Sequence, residues 1–162
     1  MTTGWPEDWE DRINGTNCEM CNSPRLDEDK YGIRIYASDL TDAILQRANI
    51  QRGYTLVIWR GRHVNEPYEL TEGEAGAYWR DVLKVAGALG AHYRPLKMNY
   101  ETLGNSVPHV HTHLLPRYRG DPSPGRPFPL RPQDGTEARV TDACLQADAA
   151  DLRSLLGWEG GI

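Results

Sequence analysis

From Val107 to Leu115 the chain reads Val-Pro-His-Val-His-Thr-His-Leu-Leu, so three histidines, His109, His111 and His113, stand at every second position. A period of two belongs to an extended strand, in which successive side chains point to opposite faces. The pattern predicts a strand over 107–115 with three imidazoles in one row, about 7 Å apart per step. Val110, Thr112 and Leu114 face the other way. A strand of this kind needs partners, and the remaining sequence must supply a sheet.

It does. Gly32–Ala37 alternates Ile33 and Ile35 against Arg34 and Tyr36, which predicts a strand. Asp39–Asp42 reads as a turn and Ala43-Ile44-Leu45 as a short second strand. After a turn at Gln51-Arg52-Gly53, Tyr54–Trp59 is an apolar buried strand, and Pro95–Leu103 offers another. Short turns between strands predict antiparallel pairing. Thr71 and Glu74 form a capping-box pattern, and Ala75, Tyr78, Trp79, Val82, Leu83, Ala86 and Leu89 make one apolar helical stripe ending near Gly90. A last helix is expected over Thr141–Leu156. Residues 118–138 are rich in proline and without period, hence an extended wrap. Residues 1–16 read as an arm or short helix that docks through Trp5 and Trp9. The expected fold class is α+β: about five antiparallel strands, helices packed on one face, and N- and C-terminal extensions. A chain of 162 residues fits one domain. We place its core at about 18–119, an arm at 1–17, and a Pro-rich loop and helix at 120–162.

The net charge of −5 and a pI near 5.5 argue against a general nucleic-acid partner, which needs a basic surface. No apolar run approaches the ~20 residues of a membrane span. The N-terminal Met-Thr-Thr-Gly-Trp-Pro-Glu-Asp-Trp-Glu-Asp-Arg is acidic and lacks an apolar stretch, which predicts a cytoplasmic protein.

Histidine titrates near 6.5 and serves at neutral pH as nucleophile or proton carrier. The row can be a solvent-exposed polar face. It can hold a metal, although a third ligand at the same spacing lies too far along the strand to share one ion. Or the central ring attacks an electrophile while its neighbours orient it and bind oxygens; attack at phosphorus gives a phosphohistidine that water cleaves. Cys18-x-x-Cys21 has the spacing of a zinc half-site, with a redox pair as the competitor. A redox pair usually opens a helix, whereas this one precedes Asn-Ser-Pro. Cys144 reads as a small buried apolar residue and His92 as a helix-end contact. Arg117, Arg119, Arg126 and Arg131 either extend a phosphate site or belong to a solvated loop.

At His109, His111 and His113 the sequence resembles the histidine-triad family of nucleotide hydrolases and transferases, whose motif is His-x-His-x-His. Upstream, Gly53–His63 resembles that family's Gly-His-x-Leu-Val-Ile-Pro-Lys-x-His segment, with Tyr54 and Trp59 in place of its His and Pro. Leu70–Glu74 resembles its Leu-Thr-x-x-Glu helix start, Gly104–Val107 its Gly-Gln-Ser/Thr-Val loop, and Pro116-Arg117 the ending of its dinucleotide-cleaving members. The likeness spans about residues 18–119. It implies that His111 attacks an α-phosphate and that His113 holds phosphate oxygens or assists the leaving group. It puts Ser106 and the Gly104 backbone at the phosphate, and Asn99 reaching it from the adjacent strand. Asn105 replaces the usual Gln on the leaving side, and Gln46 falls where relatives carry an acid for the ribose hydroxyls.

The resemblance also implies a zinc site. Some histidine-triad members and the related galactose-1-phosphate uridylyltransferases bind structural zinc through ligands that correspond here to Cys18, Cys21, His63 and His109. It implies a homodimer. The function it implies is hydrolysis or nucleotidyl transfer on dinucleoside polyphosphates or nucleoside phosphoramidates. The alternatives are a zinc-stabilised nucleotide-binding module with little turnover, and a metal-dependent hydrolase using the histidine row.

Overall fold

The computed structural model describes residues 4–48, 50–131 and 140–161. Five strands, β1 (Gly32–Ala37), β2 (Thr41–Gln46), β3 (Thr55–Trp59), β4 (Lys97–Glu101) and β5 (His111–Arg117), form one sheet in the order β1-β2-β3-β5-β4. Every pairing is antiparallel. The helices are α1 (Trp9–Ile13), α2 (Glu19–Asn22), α3 (Glu72–Tyr93) and α4 (Asp142–Leu156). The expected α+β class, an antiparallel sheet with helices on one face, is what forms.

The register explains which face is which. Ala43 pairs with Val57 and Val57 with Thr112, so these side chains share one face with Leu45, Trp59 and Leu114. On that face α3 packs Tyr78, Val82, Val85 and Leu89, and α4 packs Leu145, Ala149, Leu152 and Leu156, in one apolar core. Thr71 and Glu74 close the expected capping box at the start of α3. The helix does not stop at Gly90. It runs to Tyr93 and ends on Arg94, whose left-handed backbone (φ 48°) lets its N–H reach the Gly90 carbonyl. The Tyr78 hydroxyl pegs the helix to the sheet, donating to the Val57 carbonyl at 3.1 Å and meeting Thr112 Oγ1 at 2.7 Å.

The opposite face carries Asp42, Ile44 and Gln46 of β2, then Leu56 and Ile58, then His113 and His111. Among the described residues, α3 and α4 pack on the other face and leave this one open. Residues 18–31 border one side. At the other end Phe128 and Leu130 of the proline-rich wrap pack on Leu115, Tyr54 and Ile50. Residues 132–138 of the expected wrap lie outside the described residues. Gly53 makes the turn into β3 with φ +80°, and a Cβ there would meet the Tyr93 ring at 2.6 Å.

Several expectations are corrected. Asp42 lies inside β2, paired with Ala37, because three arginines neutralise it where the sequence alone suggests a turn. Strand β5 begins at His111; Val107–Val110 approach it irregularly, and His109 precedes the ladder. Trp5 is exposed and leans on Trp9 with ring centroids 4.5 Å apart and planes tilted by 46°, and polar contacts from Arg12 and to Ile13 fasten the arm. Cys144 is exposed in the first turn of α4, where its N–H caps on Thr141 and its side chain has no core to enter. His92 does contact a helix: its Nε2 lies 3.0 Å from Asp148 of α4. No described helix is long and apolar enough to cross a membrane.

Candidate active site and metal centre

The open face is a trough with the paired imidazoles of β5 along one side. His111 is buried, and its Nδ1 lies 2.6 Å from the backbone carbonyl of His109. A carbonyl only accepts, so Nδ1 carries the proton and Nε2 of the neutral ring keeps its lone pair. Burial lowers the His111 pKa, against the opposing pull of that carbonyl, and favours the neutral ring. His113 lies beside it, ring centroids 4.8 Å apart, closer than strand spacing alone requires because the rings lean together. Burial, with the charge of His111 second, lowers the His113 pKa to about 4.

A groove of about 160 Å³ crosses β3 and β2 on the same face, and its residues Leu56 and Ile58 pair with His113 and His111. Its floor is Ile44, Leu56 and Ile58, and its walls include Met20, Leu26, Tyr31 and Val107. Gln46 lines it, half-buried, its amide donating to the Ile44 carbonyl at 3.2 Å. Gly104 turns the preceding loop with φ +92°, which only glycine adopts without strain. Asn105 and Ser106 are exposed on that loop, and the Ser106 carbonyl accepts from Arg12 at 2.9 Å. Asn99 shares the face of His113 but stands farther up the sheet, opposite Leu115, and its Oδ1 accepts from Arg117 at 2.8 Å.

Arg117 is buried and occupied. It reaches Asp121 and the carbonyls of Pro122, Ser123 and Arg126, and it lies over the Phe128 ring. It holds the wrap down. Arg119, Arg126 and Arg131 are exposed on that loop.

Behind the His111 end, four side chains converge. The nearest ligand atoms of Cys18, Cys21, His63 and His109 all lie within 4.8 Å of one another. Cys18 Sγ and Cys21 Sγ are each 3.4 Å from His109 Nδ1, and Cys21 Sγ is 3.2 Å from His63 Nδ1. Tetrahedral zinc at ordinary bond lengths sets its ligands about 3.5 Å apart. The rings are also pre-set. His109 Nε2 donates to the Trp59 carbonyl at 2.6 Å, and His63 Nε2 to the Ile13 carbonyl at 2.9 Å. Both therefore turn a bare Nδ1 toward the sulfurs, the outer-shell arrangement that orients metal-bound imidazoles. Burial lowers the His109 pKa to about 4, and burial with the neighbouring Cys18 pushes the Cys21 thiol up to about 12. Two adjacent thiols ionise together only beside a cation. The residues fit zinc. Contrary to the sequence reading, the cysteine pair does open a short helix: Cys18 caps α2, its sulfur accepting from the Cys21 N–H at 3.4 Å.

Three residues with contacts at the site escaped the sequence reading. Asp42 is fully buried and binds Arg25, Arg34 and Arg60 beside the groove. Arg60 in turn reaches the Met20 carbonyl, between the two cysteines. Tyr54 touches His113. No short-range pattern marks any of these pairings.

A five-stranded antiparallel sheet with paired imidazoles on the strand at its open face defines the histidine-triad class of fold. The sequence model of the HIT domain matches residues 28–120, and the chain belongs to that family. It is 32% identical over 111 residues to "Protein hit" of Bacillus subtilis (strain 168), covering 65% of this chain and 74% of that protein. Among solved structures it resembles a histidine triad protein from Bradyrhizobium japonicum, with TM-score 0.65 and 24% identity over 78% of this chain and 91% of that one. It also resembles a Zn-bound histidine triad family protein from Mycobacterium smegmatis, with TM-score 0.59 and 20% identity over 88% and 94% of the two chains. These structural likenesses show the fold.

Proposed function

We propose that the protein is a nucleotide hydrolase or nucleotidyl transferase that works at an α-phosphate through His111, with dinucleoside polyphosphates or nucleoside phosphoramidates as the substrate class. One observation carries this reading: the His109 carbonyl accepts a hydrogen bond from Nδ1 of His111, which leaves a bare, buried Nε2 on the strand beside an apolar groove. That nitrogen attacks phosphorus and forms an N–P bond. With a dinucleoside polyphosphate, the P–O bond to the departing phosphate breaks with its electron pair, giving an anion that needs no proton at neutral pH. Water then cleaves the phosphohistidine. The groove floor of Ile44, Leu56 and Ile58 accepts a flat base, and Gln46 lies on the line of the ribose. Ser106 and the Gly104 backbone flank the phosphate from the preceding loop.

Cys18, Cys21, His63 and His109 would hold zinc, with four protein ligands and no open position, so the ion's role is structural. His109 serves twice: its ring belongs to the metal centre, and its carbonyl orients the nucleophile. We read the molecule as one domain and as a homodimer; Leu96, Tyr100 and Leu103 at the edge strand β4 are exposed, as a pairing edge requires.

The test is turnover of diadenosine tetraphosphate and adenosine 5′-phosphoramidate, with mass spectrometry of the quenched enzyme. The expected result is turnover with a nucleotidyl adduct on His111, and His111→Asn that binds AMP but loses turnover. Activity of His111→Asn within tenfold of the parent refutes the assignment. AMP binding without turnover in the parent favours the alternative, a zinc-stabilised binding module.

A further inference from the structure

Tyr54 stands just before β3, in the row of Leu56 and Ile58 that faces the groove. It is 5% exposed. Its hydroxyl lies 2.7 Å from His113 Nδ1, and the two rings are parallel to within 6° with centroids 5.9 Å apart. Among the described residues, that nitrogen is the only hydrogen-bond partner of the hydroxyl. A buried O–H that keeps its proton unpaired is costly, whereas the ring nitrogen can accept it. We propose that Tyr54 is a positioning residue that donates its hydroxyl proton to Nδ1 of His113 and thereby fixes the proton of that neutral ring on Nε2.

The neighbouring ring is fixed the other way round. His111 keeps its proton on Nδ1, donating a hydrogen bond to the His109 carbonyl, and presents a lone pair on Nε2. His113 presents Nε2–H. The two adjacent imidazoles, identical in chemistry, are thus held in opposite tautomers, one by a carbonyl that can only accept and one by a phenol that donates. This pairing suits attack at phosphorus. The lone pair of His111 meets the phosphorus, and the N–H of His113 hydrogen-bonds the phosphoryl or departing oxygen on which negative charge builds. No proton leaves His113 in this role. Two features keep the phenol a donor. Burial pushes the Tyr54 pKa well above its ordinary value, and the charge of Glu101, which stands opposite His113 across β4–β5, acts in the same direction.

The catalytic meaning rests on His111 as nucleophile, but the tautomer does not, so the two are tested apart. Long-range ¹⁵N–¹H spectra of the purified protein at pH 7 read the protonation of each histidine nitrogen. The expected spectrum has His113 protonated on Nε2 with an accepting Nδ1, and His111 the reverse. In Tyr54→Phe, which keeps the ring and loses the hydroxyl, the His113 signals should move toward a mixture of tautomers. With diadenosine tetraphosphate, kcat should fall about tenfold or more while KM changes less than threefold. A parent spectrum with His113 protonated on Nδ1 overturns the proposal whatever the variant does. So does a Tyr54→Phe protein with unchanged His113 signals and unchanged kcat. A parent that fails to turn over this substrate counts against the proposed function, and the spectra still decide the tautomer.

Discussion

Replacing Asp42 by Asn should destabilise the protein by about 3 kcal/mol, the low end of the roughly 3–5 kcal/mol lost when one partner of a buried ion pair is removed. The structure sets the figure. The carboxylate accepts from Arg25 Nε and a terminal nitrogen at 2.9 and 2.8 Å, from Arg60 Nε at 2.7 Å and from Arg34 at 3.2 Å. Asn keeps one acceptor and turns an NH₂ toward guanidinium donors. The arginines do not lose everything. Arg25 still reaches the carbonyls of Ser38 and Thr41, Arg34 keeps Asp27, and Arg60 keeps Met20. At about 2–4 °C per kcal/mol for a chain of this size, Tm should drop by about 6–12 °C at pH 7. The pH dependence has a definite sign. Burial alone would raise the Asp42 pKa, but the Arg25 hydrogen bond and the charges of Arg60, Arg25 and Arg34 lower it below 3.8. The stabilisation is therefore present in full above pH 3.8 and is lost as the pH falls through the folded-state value. Protonation of the buried histidines at higher pH is common to both proteins and cancels in the comparison. Calorimetry of parent and variant from pH 7 to pH 2.5 reads the difference. A drop under about 2 °C at pH 7, or a penalty undiminished at pH 2.5, refutes the argument. Because Arg60 also holds the Met20 carbonyl, the variant should bind zinc more weakly.

Elemental analysis should find about one zinc per chain, and the double change Cys18→Ser with Cys21→Ser should remove it and lower Tm; a metal-free parent of equal stability rejects the site. Gln46→Asp should strengthen AMP binding by tenfold or less, since a charged acceptor gains roughly 1.5–3 kcal/mol per hydrogen bond against about 1 for a neutral one, partly offset by desolvation. Calorimetric titration should show no gain with 2′-deoxy-AMP, and an equal gain for both ligands contradicts the ribose assignment. Arg117→Leu strips the bonds that tie Pro122, Ser123 and Arg126 to β5, so limited proteolysis should cut within 118–128; parent-like resistance shows that Phe128 alone suffices.

The strands, the capping box and the Cys18-x-x-Cys21 half-site were legible because each rests on a local period or a fixed motif, whereas His63 and His109 joined that half-site only through the family resemblance. The buried pairings were not. Asp42 resembles any turn aspartate until Arg25, Arg34 and Arg60 arrive from three separate segments. Arg117 carries a charge that the sequence offers to phosphate, and the fold spends it on backbone carbonyls. Alternation correctly marked the reactive strand but overran its start, because the chain before His111 bends to bring His109 toward the cysteines.

Thr112 sits between His111 and His113 and faces away from them, fully buried, its hydroxyl shared with Tyr78 of α3 and Thr102. In deuterium exchange β5 should therefore belong to the last unit to open, its amides released only when helix and sheet separate. The exposed loop at Asn105 and Ser106 belongs to the opposite end of that scale, where opening costs little. The imidazoles and the loop facing them thus answer to different opening equilibria. If the loop and His111 act as proposed, warming should loosen the loop first, and AMP binding should fade at a lower temperature than the β5 amides are released.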